Sequence, residues 1–197
     1  MARAKRSETS SMTLAHTILV VLMGEPNSGY GIRSRFEEDV QFFWQASHQQ
    51  IYRELGKMEN QGWISPTVVA QEGKPDKKVY AITDSGRQEL LRWCTEPTTP
   101  TAIREDLMVR ILAGPYMDRG MLIEEVQDRR NFHQQRLEDC REREQWFRDH
   151  SDLPLVEKFR YLNLQRGILF EKSWVDWCDR VLELLRSPDL STIFEES

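Results

Sequence analysis

Apolar residues in the first part of the chain recur at helical spacing. Leu14, Ile18, Leu19 and Leu22 predict a buried helix, apolar on nearly every side and capped by Thr13. Gly24-Glu25-Pro26-Asn27 breaks it, and Ser28 caps a second helix from Gly29 to about Glu38, with Tyr30, Ile32 and Phe36 as its apolar positions. Val40–Trp44 is apolar and reads as a turn followed by a short extended piece. Ser47 opens a third helix, His48 to about Gln61, which Gly62 stops.

The period then shortens. Trp63–Val69 carries β-branched residues and reads as a strand, with Pro66 pointing to an edge position. The turn Glu72–Lys78 follows, then a returning strand Val79–Thr83, and Asp84 caps a fourth helix holding Leu90, Leu91 and Trp93. Glu96–Thr101, with Pro97 and Pro100 among threonines, is the natural linker. Beyond it the pattern is helical: a short helix over Glu105–Ala113 ending at Gly114-Pro115, a long one from about Asp118 to His150, and another from Pro154 to Arg186. The order helix, helix, helix, strand, turn, strand is that of a winged helix-turn-helix. The fold class expected is mainly α with a small β-hairpin wing. Residues 1–11 form a basic arm, 12–95 the winged domain, 96–103 the linker, and 104–197 an antiparallel helical dimerisation domain.

Composition narrows the class. Apolar residues make up 39% of the 197, enough for a packed core. The longest apolar run, Ile18–Met23, is far short of the roughly 18 residues that cross a bilayer. The polar N-terminus lacks a secretory h-region, so a cytoplasmic protein without membrane contact is expected. Cys94, Cys140 and Cys178 are scattered, which fits a reducing compartment rather than a disulfide framework. Net charge is −5, against the basic balance of most nucleic-acid binders. Residues 1–95 carry 12 Lys/Arg against 11 Asp/Glu, and residues 96–197 carry 15 against 21. A DNA-binding surface must therefore be a local patch.

The third helix supplies one. At about 100° per residue, Ile51, Leu55 and Met58 form one stripe. The opposite side presents Gln49, Arg53, Gly56 and Asn60, flanked by Gln50, Tyr52 and Lys57. Arg pairs bidentately with guanine, and Gln with adenine. Gln49, Gln50 and Arg53 are therefore the candidates for base readout, with Tyr52 and Lys57 for phosphate. Any amphipathic surface helix has a polar outside, but Lys74, Lys77 and Lys78 cluster at the hairpin, where packing has no use for them and phosphate does. Arg3, Lys5 and Arg6 of the arm are further candidates for phosphate or minor-groove contact, or simply solvated.

Three blocks carry a family likeness. Ser28-Gly29-Tyr30-Gly31-Ile32 with Phe36 and Trp44 is similar to the second-helix signature of the PadR family. Gln50-Ile51-Tyr52-Arg53-Glu54-Leu55 through Gly62 resembles its recognition helix, and Gly73–Thr83 followed by Gly86 resembles its wing. The second half resembles the longer subgroup with a virulence-activator-type C-terminal domain, most clearly over Arg104–Leu107 and Ile111–Gly114. The resemblance implies homodimers joined through C-terminal helices and binding a pseudo-palindromic operator. It also implies that many members are repressors relieved by small molecules such as phenolic compounds, while others activate. The DNA role of Tyr52 and of Lys77-Lys78 is carried over from it.

The last helix holds more apolar surface than one side needs. Leu122, Val126, Leu137 and Phe147 of the preceding helix cover one face, and Leu162, Leu169, Trp174, Trp177 and Val181 are the expected dimer contacts. Trp146, Trp174 and Trp177 are candidates to line a pocket for a small aromatic effector, set against the commoner role of tryptophan in cores and interfaces.

Three rival readings have residues to name. An enzyme lacks support, because His16, His48, His133 and His150 form no catalytic motif and there is no phosphate-binding glycine loop. No catalytic residue, metal ligand or cofactor is assigned. A metal- or thiol-responsive sensor would use Cys140, His133 or Cys178, and His133 and Cys140 can share a helix face. Buried thiols are the simpler reading. The acidic balance suggests an interaction protein that has lost DNA binding, which the lysine wing and the Gln/Arg face oppose.

Overall fold

The computed structural model describes residues 14–39, 46–70, 73, 76–98, 100 and 103–188. The basic arm, Thr13, Val40–Trp44 and Lys74 lie outside these residues. The chain divides into two units, Met1–Thr99 and Pro100–Ser197, so the break falls within the Pro/Thr stretch.

In the first unit, residues 14–24 form α1, followed by β1 (Asn27–Ser28), α2 (Gly29–Asp39), α3 (His48–Asn60), β2 (Ile64–Val69), β3 (Lys77–Ile82) and α4 (Asp84–Cys94). The sheet is three-stranded and antiparallel in the order β1-β3-β2, not a bare hairpin. Asn27 and Ser28 pair with Tyr80 and Val79, a bridge too short to leave a period in the sequence. β2 is an edge strand, which accommodates Pro66 opposite Tyr80.

One core joins these elements: Leu14, Ile18, Leu19 and Leu22 of α1, Ile32 and Phe36 of α2, Ile51, Leu55 and Met58 of α3, Ile64, Tyr80 and Leu90. Two apolar expectations fail here. Val20 and Met23 are exposed, so α1 has a solvent side, and Tyr30 is 73% exposed because it lies about 200° around α2 from Ile32.

Local chemistry differs from expectation at two boundaries. Thr83, not Asp84, caps α4: its hydroxyl accepts from Gly86 N at 3.1 Å and donates to Gly62 O at 2.6 Å. Asp84 becomes the first helical residue, where its charge suits the helix dipole. β3 also begins at Lys77, so Lys77 and Lys78 are strand residues opposite Val69 and Val68 rather than turn residues.

The second unit contains α5 (Asp106–Leu112), a 3-10 turn Gly114–Tyr116, α6 (Arg119–Asp149) and α7 (Leu155–Arg186). Glu105 and Asp118 cap α5 and α6 through side-chain oxygens that accept from Leu107 N and Met121 N. α6 and α7 pack lengthwise. Leu107, Leu122, Val126, Cys178 and Leu182 form a core, with Trp174, Trp177 and Val181 partly buried against it. Leu137, Cys140, Phe147, Leu164 and Val175 are buried further along the pair. Among the described residues no helix is long and apolar enough to cross a membrane.

Candidate nucleic-acid interface

α3 is fixed at both ends. At its start, Ser47 Oγ accepts from Gln50 N at 3.2 Å while Gln50 Oε1 accepts from Ser47 N at 2.7 Å, a reciprocal capping box. At its end, Gly62 adopts φ +72°, a left-handed geometry that favours glycine, and Trp63 N donates to Met58 O at 2.9 Å. The helix is thereby led straight into β2. Trp63 O in turn faces Gly86, where a Cβ would stand 2.2 Å from that oxygen.

Tyr52 of α3 packs against a side-chain-free position at the start of α2. A Cβ on Gly29 would lie 2.6 Å from the Tyr52 phenol. The Tyr52 ring occupies that space and packs on His48, with ring centroids 4.4 Å apart. Gly31 is constrained similarly, because a Cβ there would meet Asn27 Oδ1 at 1.9 Å, and that oxygen already accepts from Ser28 N at 2.9 Å. Ser28 Oγ accepts from Gly31 N at 3.2 Å, so it does cap α2.

The outward side of α3 presents Gln49, Gln50, Tyr52, Arg53, Gly56 and Lys57, all exposed. Nothing approaches the Gly56 position within 4 Å, leaving its backbone open. Gln49 and Arg53 are one turn apart and belong to the exposed face, whereas the carbonyl oxygen of the Gln50 side chain is engaged in the cap. Lys57 Nζ pairs with Glu54 at 2.9 Å, and Glu54 is itself buried. Lys78 Nζ donates to Glu59 at 2.8 Å and stands 5.4 Å from the centre of the Tyr80 ring. That hydrogen bond raises the Lys78 pKa above its ordinary value, so the ammonium stays charged. Lys77 is exposed on β3.

Two of the expected cations are therefore partly neutralised by carboxylates. Glu54–Lys57 is legible as an i,i+3 pair. Glu59–Lys78 joins α3 to β3 and has no signature in sequence spacing. His48 is absent from the residues that sequence reasoning assigns to this surface, although its place in the first turn of α3 is a usable signal.

The residues considered for metal or thiol chemistry are otherwise engaged. His133 Nδ1 pairs with Glu171 at 2.5 Å. Burial pushes the Cys140 thiol up to about 12 and the Cys178 thiol up to about 11, well away from thiolate reactivity. Among the described residues no group of three or more His, Cys, Asp and Glu is placed to hold a metal ion. Trp174 stacks on His133 at 4.8 Å and meets Trp177 edge-on at 5.6 Å, so both belong to helix packing. Trp146 is half-exposed and stacks on His150.

Comparison with known proteins agrees with this architecture. Residues 18–92 match the family model of the PadR-like transcriptional regulators, and residues 103–186 match that of the virulence activator alpha C-terminal domain. The probable transcriptional regulator Rv1176c of Mycobacterium tuberculosis is 41% identical over 89% of this chain and 98% of its own. The negative transcriptional regulator PadR of Bacillus subtilis is 30% identical over 87% of this chain and 97% of its own. Its structure in complex with operator DNA superposes with a TM-score of 0.75 at 29% identity, covering 88% and 99% of the two chains. Its complex with p-coumaric acid gives 0.70 at 27% identity, covering 88% and 99%. The Vibrio cholerae virulence activator AphA gives 0.72 at 29% identity, covering 87% and 97%. Model matches to both halves, together with a relative 41% identical along nearly the whole length, place the chain in the PadR-like family of transcriptional regulators, which are not enzymes.

Proposed function

We propose that this chain is a cytoplasmic repressor that binds a pseudo-palindromic operator as a homodimer and is released by a small aromatic effector. The observation that carries the reading is the exposed α3 face held between a capping box and a left-handed glycine. Gln49 and Arg53 read base edges in the major groove, and the amide of Gln50 adds a donor. Tyr52, Lys57, Lys74, Lys77 and Lys78 meet phosphates and position the helix. The Lys78–Glu59 pair exchanges a carboxylate for a phosphate at little net cost, because both side chains are solvent-accessible. Lys57 reaches phosphate with its exposed end while keeping buried Glu54 as a partner. Net charge of −5 is compatible with this, since binding needs only a local group of cations, here Arg53, Lys57, Lys74, Lys77 and Lys78.

Dimerisation is supported by α7, on which Leu155, Phe159, Leu162 and Leu169 are all more than half exposed at heptad-like intervals. Trp174, Trp177 and Val181 extend the interface with the surface that their own core leaves open. Repression and release by an aromatic acid follow the Bacillus relative, a negative regulator with a p-coumaric acid complex.

Selection of bound sequences from random duplex DNA tests the reading. Recovery of an inverted repeat, with half-sites about one helical turn apart, is the expected result. Absence of any preferred duplex at low salt would overturn it.

A further inference from the structure

The first turn of α3 carries a titratable side chain that pairs with no polar group of the protein. His48 is exposed, and its imidazole lies against the Tyr52 ring with centroids 4.4 Å apart at 49°. Tyr52 is held in turn by the close approach of its phenol to Gly29 at the start of α2. The imidazole therefore stands at the end of α3 from which recognition helices reach DNA. Among the described residues neither ring nitrogen has a hydrogen-bond or ion-pair partner. Both are open to a group from outside the chain.

The surrounding charges favour an anion there. No Asp or Glu occurs from Val40 to Arg53, and neither α2 nor α3 has an acidic residue in its first turn. The titratable and charged groups of the adjoining turns are Tyr52 and Arg53 on α3, and Tyr30, Arg33 and Arg35 on α2. Glu25, ahead of α2, pairs with Arg35 at 3.7 Å. A protonated imidazole in this setting has cations for neighbours and the unfavourable end of the helix dipole beneath it. A phosphate relieves both, because a helix N-terminus and an imidazolium N–H each favour an anionic acceptor. Histidine is also the side chain whose charge changes near neutral pH. We propose that binding of duplex DNA takes up a proton at His48, whose imidazolium then donates to a backbone phosphate, so that affinity rises as pH falls from about 8 to about 6. DNA favours the charged form, so the bound state holds more protons than the free one and acid drives association. The inference rests on the DNA-binding reading above and adds a proton to it.

Fluorescence anisotropy of a labelled duplex of mixed sequence, titrated with the full chain at fixed low ionic strength, tests the assignment. Such a probe suffices because a phosphate contact carries no sequence information. Binding should tighten about three- to tenfold from about pH 8 to about pH 6. Its salt slope should steepen by up to about 0.9 for each His48 that gains a phosphate. His48→Phe keeps a ring on Tyr52 and removes both nitrogens. It should bind as the parent does at the alkaline end and lose the response to acid. His48→Arg, charged throughout, should bind at the alkaline end as tightly as the parent does in acid, and its profile should be flat. His150→Phe, at an exposed histidine of the second unit, should keep the full response. A parent with no response, a response retained by His48→Phe or lost in His150→Phe, or a His48→Arg no tighter than His48→Phe at the alkaline end would each overturn the proposal. A protein that binds duplex without regard to pH loses this proton alone. One that binds no duplex loses the DNA reading and the proton together.

Discussion

His133 Nδ1 and Glu171 Oε2 stand 2.5 Å apart in the interior of the α6–α7 pair, joining positions 38 residues apart in the chain. Glu171 is fully buried and also accepts from Arg136 Nε at 2.8 Å, while Trp174 lies parallel to the imidazole at 4.8 Å. One carboxylate thus fixes the lengthwise register of two long helices whose apolar packing alone would tolerate sliding. Replacing Glu171 with Ala removes the buried partner of His133 and one acceptor of partly buried Arg136, and should cost about 3 kcal/mol in urea unfolding. His133→Phe should cost at least about 1 kcal/mol less. It keeps a ring on Trp174 and removes Nε2, a buried nitrogen with no hydrogen-bond partner. Equal costs for the two variants would mean that the carboxylate does not organise the cluster.

The same carboxylate sets an acid limit on stability. Burial pushes the Glu171 pKa up, but hydrogen bonds from His133 and Arg136 outweigh it and hold the group below its ordinary 4.5. Glu89 in the first unit is held lower, to about 2: Arg92 is the main cause, burial opposes it, and His16 adds a further hydrogen bond at 3.1 Å. A depressed carboxylate stabilises the fold above its unfolded pKa, and that stabilisation fades as pH falls toward the folded one. Thermal midpoints should therefore decline between pH 4.5 and 2. Glu89→Gln should flatten part of that decline and lower the midpoint at neutral pH. An unchanged acid profile in Glu89→Gln would show that His16 and Arg92 do not draw on it.

Tyr52 owes its position to the missing side chain at Gly29. A Cβ there would stand 2.6 Å from the phenol, so Gly29→Ala must turn the ring away from α2 and from His48. Because the obstruction is the far end of a half-exposed side chain that can swing aside, the stability cost should stay below the roughly 1–3 kcal/mol of overpacking in a core. Operator affinity should fall as well if Tyr52 meets phosphate, and Gly29→Ala should then add little to Tyr52→Ala in a double-mutant cycle. Gly86→Ala is the control. Its obstruction is the backbone oxygen of Trp63 at 2.2 Å, which cannot swing aside, so no second-site side-chain truncation should rescue its stability.

Salt dependence should separate the proposed phosphate contacts from the proposed base contacts. Lys77→Ala and Lys78→Ala should weaken binding to every duplex and reduce the salt slope by about 0.9 for each phosphate left without its cation. Arg53→Ala should cost about 1–3 kcal/mol at the cognate site while relaxing preference at one base pair. Lys78→Ala also frees Glu59, which adds a repulsive carboxylate beside the DNA, so it should weaken binding more than Lys77→Ala does. The reverse order would place the wing differently on the backbone.

The helices and the edge strand are legible in the sequence because their causes are local. Ser47 sits before an apolar stripe, Gly62 after it, and Pro66 where a donor is not required. The cap at Thr83 is not legible, because its second bond, to Gly62 O, crosses from one element to another. Nor is β1, because two residues carry no alternation. At the candidate interface, spacing reveals the outward face of α3 but not how its polar groups are engaged. Gln50 is committed to Ser47 by a bond that the S-x-x-Q pattern does contain, whereas Lys78–Glu59 depends on the fold and no local pattern encodes it. His133 and Glu171 lie on two different helices, and only their packing makes them a pair.

The expected dimer residues fall into two physical groups, and they should respond differently. Leu162 and Leu169 are 57% and 65% exposed on their own chain, while Trp174, Trp177 and Val181 already pack against the core of α5, α6 and α7. Leu162→Glu should leave the folded unit intact, since the side chain supports no buried packing, yet place a charge on the stripe shared with Phe159 and Leu169. Sedimentation should then shift from dimer to monomer at micromolar concentration, with unchanged helical content and weakened operator binding. Trp177→Ala removes packing inside the chain and should cost about 3 kcal/mol of stability, with dimerisation affected only secondarily. A dimer that survives Leu162→Glu but dissociates with Trp177→Ala, at full helical content, would move the interface from the exposed stripe to the tryptophan face.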